Sequence, residues 1–144
     1  MSIVAWDGKI MAADKICTSA DMRVTTTKIV KLDDGTVLAW VGEQGGGFAL
    51  TEWYKNGKKR CDWPSVQGTE NWTRLIVADE TGVSFYEREP FPQKVEEHFM
   101  AWGSGRDFAM GAMAMGASAK EAVEIASRFS ISCGNGVDCF EVQT

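Results

Sequence analysis

The first forty residues most limit what this chain can fold into, because they read as strands joined by two tight reversals. Residues 2–6 and 9–13 are apolar runs on either side of Asp7-Gly8. An Asp-Gly pair there predicts a type I′ hairpin turn, since both central residues of that turn need positive φ. Residues 24–32 are rich in β-branched side chains, Thr25, Thr26 and Thr27 among them, and predict a strand that ends at Asp33-Asp34-Gly35. Residues 36–41 predict another apolar strand after that turn.

The periodicity then changes. Phe48, Ala49, Leu50, Trp53 and Tyr54 have the spacing of a short helix, entered through Gly45-Gly46-Gly47. Asn56-Gly57 with Lys58, Lys59 and Arg60 suits its C-terminus. Residues 72–78 and 83–87 predict strands joined through Asp79-Glu80-Thr81-Gly82, and residues 94–101 another short strand after the loop marked by Pro90 and Pro92. Two helices follow. Ser104 is the expected cap of the first, with Asp107 at its third position, and Ser118-Ala119-Lys120-Glu121 is a capping box for the second, which runs to about Phe129. Ala109, Ala112, Ala114 and Ala122 favour close helix packing, and Met110, Met113 and Met115 are expected to fill core. Residues 137–142 predict a last strand after Gly134-Asn135-Gly136. Strands, one helix, strands, two helices and a strand imply a layered α+β domain, with sheets packed together and covered by helices.

A chain of 144 residues suits one domain, here expected to span 1–144. Its net charge of −5 gives no electrostatic support for nonspecific nucleic-acid binding. Cys17, Cys61, Cys133 and Cys139 have no C-x-x-C spacing, and with His98 the sole histidine they predict neither a zinc site nor any other cofactor. Reduced, buried thiols are expected, and a structural role for His98. No apolar run approaches the ~20 residues that cross a bilayer. The opening run meets Asp7 too early for a signal-peptide core, so the expectation is a cytoplasmic protein without a membrane partner.

Ser2 is the candidate for chemistry. Once Met1 is removed, it carries a free α-amine and a hydroxyl on one residue. An α-amine with a pKa of about 7.7–8.0 accepts the hydroxyl proton near neutral pH, so one residue supplies nucleophile and base. Alone, a serine at position two signals only efficient methionine removal. The sequence around it adds Met11-Ala12-Ala13-Asp14, then Lys28-Ile29-Val30-Lys31-Leu32, then Val41-Gly42, then Gly103-Ser104-Gly105. In that order these segments resemble proteasome β subunits, the peptidase subunit of the simpler bacterial ATP-dependent protease, and short phage-encoded proteins of that type.

The resemblance implies a four-layer αββα sandwich of the N-terminal nucleophile hydrolase type. It places Ser2 at the family's nucleophilic threonine, Asp14 at the acid on the second strand, and Lys28 at the lysine that the acid orients. Gly42 falls on the glycine whose N–H faces the oxyanion, and Ser104 on the serine that hydrogen-bonds around the N-terminal amine. A lysine beside the amine favours its neutral form, and a glycine lets backbone approach substrate. Two positions depart from the family. Ser130 stands where an acid is usual, and Cys133 where a serine or threonine is. The resemblance also implies a homo-oligomer, ring or helical, a peptide or unfolded-protein substrate and an ATP-dependent unfoldase partner. Two other readings stay open: a catalytically silent scaffold or binding protein of the same fold, and a small-amide hydrolase of the superfamily. For the site reading, the strands carrying Ser2, Asp14 and Lys28 are expected to be neighbours in one sheet.

Overall fold

The computed structural model describes residues 2–64 and 73–142. Two antiparallel sheets organise it. The first runs β10 (Met100–Gly103), β1 (Ile3–Trp6), β2 (Ile10–Asp14), β11 (Val137–Glu141). The second runs β5 (Ile29–Lys31), β6 (Val37–Val41), β7 (Arg74–Asp79), β8 (Gly82–Tyr86), β9 (Gln93–Lys94). A separate ribbon pairs β3 (Ile16–Ser19) with β4 (Met22–Thr25). The helices are α1 (Gln44–Lys55), α2 (Arg106–Ala114) and α3 (Ala119–Phe129).

Strand periodicity explains why the central strands are apolar throughout. Successive side chains point to opposite faces, so a strand covered on both faces alternates between two cores. Val4, Trp6, Met11 and Ala13 of the first sheet share a cluster with Val37, Ala39, Val41, Ile76 and Ala78 of the second. The alternate residues Ile3, Ala5 and Ala12 pack with Ala109, Met113, Ala122, Val123 and Ala126 of α2 and α3. On the far side, Leu38, Leu75 and Val77 pack with Leu50 and Trp53 of α1. The expected mixture of helix and sheet is present, with one apolar cluster between the sheets and one under each helical group.

Several local expectations are corrected. The type I′ turn lies elsewhere: Ala20 and Asp21, between β3 and β4, both have positive φ. At the first reversal only Gly8 does, while the Asp7 carboxylate accepts from the amides of Lys9 and Ile10 and the Asp7 amide donates to the Ile10 carbonyl at 3.2 Å. The threonine-rich run is two strands rather than one, because β4 returns along β3 before β5 enters the second sheet. The segment read as one strand at 94–101 crosses between sheets, ending β9 in one and opening β10 in the other. Trp72, the expected start of another strand, lies outside the described residues. Met113 is buried as expected, but Met115 is 90% exposed. Of the free thiols only Cys133 is buried, while Cys61 and Cys139 are exposed.

The helix ends differ in how well they matched. Ser118 makes the predicted capping box, exchanging bonds with Glu121, and the Asp7 carboxylate also accepts from the Ala119 amide. Ser104 caps nothing. Gly105 holds the N-cap position of α2, with no side-chain cap bond, and Asp107 is therefore the second helical residue. Gly45, Gly46 and Gly47 belong to α1 rather than to a loop before it. At two of these three glycines the cause is packing. A Cβ on Gly46 would lie 2.2 Å from Thr73 Oγ1, and one on Gly47 2.2 Å from the Trp40 ring.

Candidate active site

Asp14 closes β2, and its carboxylate is fully buried. A carboxylate taken from water needs donors, and this one has three. Oδ1 accepts from the Lys28 ammonium at 2.5 Å and from the Ile3 amide at 3.1 Å, and Oδ2 from the Gly134 amide at 3.0 Å. Three distant parts of the chain are thus tied at one group: the start of β1, the entry to β5 and the turn before β11.

Lys28 does not lie on a strand of the first sheet, contrary to expectation. It precedes β5 of the second sheet, where its carbonyl accepts from the Trp40 amide of β6. Its side chain reaches across to Asp14 and donates a second bond to the Ile16 carbonyl at 2.9 Å. The reason for the shift is the β3–β4 ribbon, which occupies the chain between Asp14 and Lys28 and delivers Lys28 to the opposite sheet. Burial pushes the Lys28 pKa below its ordinary value, and the Asp14 charge opposes that fall. Among the described residues, two of its three N–H donors are committed.

Ser2 is buried, and its hydroxyl has no partner among the described residues. The amide that follows it is the Ile3 N–H held by Asp14, so that amide and the Lys28 ammonium share one carboxylate oxygen. Its carbonyl accepts from the Gly105 amide at 3.4 Å. Gly103, with φ +104°, passes so close that a Cβ there would fall 2.2 Å from that carbonyl oxygen and 3.3 Å from Val41 Cγ1. Backbone contact of this kind admits only glycine. Gly42 follows Val41 with φ +103° and is exposed at the end of β6. Ser104 is exposed between Gly103 and Gly105. All five residues singled out in the sequence therefore lie on segments that meet at one end of the sheets.

Two participants were not legible as such. Gly134 was read as part of a turn, yet its amide serves Asp14, from 120 positions along the chain. Gly105 was read as part of a motif, while its role is spatial: a Cβ on it would lie 2.8 Å from Cys133 Sγ and 3.3 Å from Ile3 Cβ. Burial raises the Cys133 thiol pKa and a bond with Ser130 opposes it, so the thiol stays protonated. Ser130 ends α3, and its hydroxyl accepts from the Ser132 amide at 3.2 Å. Among the described residues, no group of three or more ligand-type side chains is placed to hold a metal.

Neither a protein-family model nor a curated protein matches the sequence. Solved structures do match. BPH of Thiobacillus denitrificans in complex with epoxomicin aligns with a TM-score of 0.75 at 18% identity, covering 100% of each chain. A second BPH structure gives 0.76 at 18%, covering 99% of this chain and 98% of that one. Eukaryotic HslV from Trypanosoma brucei gives 0.73 at 17%, covering 99% of each. At these identities the likeness is one of fold, and it spans the chain: this is the fold of HslV and proteasome-like peptidases.

Proposed function

We propose that this chain is a proteasome-like peptidase subunit in which Ser2, exposed by removal of Met1, is the nucleophile. The observation that carries this reading is the buried Asp14 carboxylate, which takes the Lys28 ammonium and the amide following Ser2 on one oxygen. In the reaction, Ser2 Oγ bonds to a peptide carbonyl carbon while the α-amine takes the hydroxyl proton. The Gly42 N–H stabilises the oxyanion, and the C–N bond breaks with return of the proton to the leaving amine. Water then cleaves the Ser2 ester, with the amine again as base. Lys28 keeps that amine neutral by charge repulsion, Asp14 keeps Lys28 charged, and Ser104 hydrogen-bonds around the amine. The three apolar clusters support a four-layer αββα sandwich of the N-terminal nucleophile hydrolase type, formed as one domain over 1–144.

The same fold supports a cytoplasmic homo-oligomer, ring or helical, that takes peptides or unfolded protein, with an ATP-dependent unfoldase as partner. A second reading has its own observation. Ser130, at the family's acidic position, supplies no negative charge, and its hydroxyl accepts from the Ser132 amide. That favours a silent scaffold of the same fold.

A preparation beginning at Ser2 decides between them. Peptide amides are hydrolysed, Ser2→Ala abolishes turnover, Lys28→Ala lowers it sharply, and Ser130→Asp raises it. Epoxomicin, the compound in the BPH complex, binds the processed form and not Ser2→Ala. No turnover by the processed form on any peptide or amide leaves the scaffold. Turnover confined to small amides identifies the amide hydrolase of the superfamily.

A further inference from the structure

The turn that carries the Gly42 N–H is held by side chains from other parts of the chain. Gly42 follows β6 with φ +103° and is exposed, and Glu43, the N-cap residue of α1, makes no side-chain cap bond. A donor aimed at a developing charge has to be fixed before that charge appears. Two threonines lie on either side of this turn. Thr73, just before β7, donates its hydroxyl to the Glu43 carbonyl at 2.8 Å, and it fills the space that a Cβ on Gly46 would need. On the other side Gln44 Nε2 donates to Thr26 Oγ1 at 3.0 Å.

The second of these bonds spans the two sheets. Thr26 is anchored at the end of the first sheet, because its amide donates at 2.8 Å to the carbonyl of Lys15, the residue after Asp14. The Lys15 amide in turn donates at 3.0 Å to the carbonyl of Gly134, whose own amide serves Asp14. Gln44 opens α1, directly behind the turn that leaves β6 of the second sheet. The Asp14–Lys28 tie also joins the sheets, but it acts ahead of β5, two strand segments away from Gly42 in the chain. The needs of α1 do not account for the Gln44 bond. The first turn of a helix has spare N–H donors, and Nε2 is another donor, so it satisfies none of them.

We infer that Gln44 is a positioning residue for the proposed reaction: through Thr26 it sets where the Gly42 N–H stands relative to Ser2 and Lys28. It touches no reacting atom. The bond couples the oxyanion donor to the sheet end that holds Asp14, so nucleophile, amine and donor keep one geometry. Without it, the turn relaxes and the N–H no longer meets the oxyanion. The inference rests on the peptidase reading above and adds to it a residue for which the resemblance gives no role.

The test is the kinetics of the full chain beginning at Ser2 on a peptide amide, with kcat and KM expressed per folded molecule. Gln44→Ala and Thr26→Val each lower kcat about tenfold to a hundredfold, because a small misplacement at a reacting centre is costly. KM stays near its wild-type value, since the lost alignment matters only in the transition state. Thr26→Ser keeps the hydroxyl and keeps kcat. The double variant Gln44→Ala with Thr26→Val loses no more than either single one, as expected for two ends of one bond. A purely structural bond would lower the folded fraction and leave kcat per folded molecule alone, and that result overturns the inference. Additive losses in the double variant, or a raised KM with kcat unchanged, overturn it as well. In all of these the peptidase reading stands, because the wild type turns over. A wild type without turnover on any peptide or amide overturns the inference and the peptidase reading together.

Discussion

Asp14 is the side chain at which three distant segments of the chain are tied. Its carboxylate has lost all contact with water and is compensated by one ammonium and two backbone amides. Removing one partner of a buried pair leaves the other charge uncompensated, so Asp14→Ala is expected to cost about 3–5 kcal/mol, read from urea unfolding. The variant also loses the tie that positions the residue after Ser2. For Lys28 the sign of the pH dependence follows from burial, which lowers its folded-state pKa below the unfolded value of about 10.4. A group with a depressed pKa contributes stability that is present above the unfolded value and lost as pH falls through the folded one. Wild type is therefore expected to gain stability relative to Lys28→Met as pH rises from the folded pKa toward about 10.4, checked by unfolding both proteins across that range. Ser2, Asp14, Lys28 and Gly42 were singled out in sequence through the order of short segments that resembles the proteasome family. The Gly134 amide was not, since any residue but proline has an N–H and only the fold decides which one meets Asp14.

At the scale of elements, the start of α1 separates what propensity predicts from what packing imposes. Gly45, Gly46 and Gly47 are consecutive and look alike in the sequence, where three glycines read as a loop. In the fold all three are helical. A Cβ on Gly45 meets nothing within 4 Å, whereas one on Gly47 runs into the Trp40 ring. Gly45→Ala is expected to stabilise by about 0.5–1 kcal/mol through the lower entropy of the unfolded chain. Gly47→Ala is expected to destabilise by about 1–3 kcal/mol, because overpacking outweighs the same gain. Thermal and urea unfolding of the two variants, with opposite signs, check the pair. The Ser118 capping box was legible because its two bonds are local. The β3–β4 ribbon was missed because its turn places Ala20 and Asp21 at positive φ, where Asn-Gly or Asp-Gly is the usual signal. That miss had a consequence for the site. Without the ribbon, Lys28 reads as a neighbour of β2, and with it Lys28 enters the opposite sheet.

For the molecule as a whole, the layered order was legible from the succession of strands and helices, but the division of labour between sheets was not. Apolar alternation within β1 and β6 is masked when both faces are covered, so the sequence does not say which residues face the other sheet. The fold answers that, and places Asp14 on one sheet and Lys28 on the other, with the inter-sheet cluster between them and the far ends. The Asp14–Lys28 tie therefore depends on how the sheets are docked. Ile76 lies in the inter-sheet cluster, while Leu50 belongs to α1 and packs on the far side of the second sheet, and both are fully buried. Truncating either to alanine removes similar apolar volume and is expected to cost about 2–5 kcal/mol. The functional effects are expected to differ. Ile76→Ala loosens the register between sheets and lowers kcat of the folded fraction, since a small misplacement at a reacting centre is costly. Leu50→Ala leaves that register alone and changes activity only through the fraction folded. Peptidase rates of Ser2-terminal preparations, normalised to folded protein from the unfolding curves, distinguish the two. Equal normalised rates in both variants would mean that the site tolerates movement between the sheets.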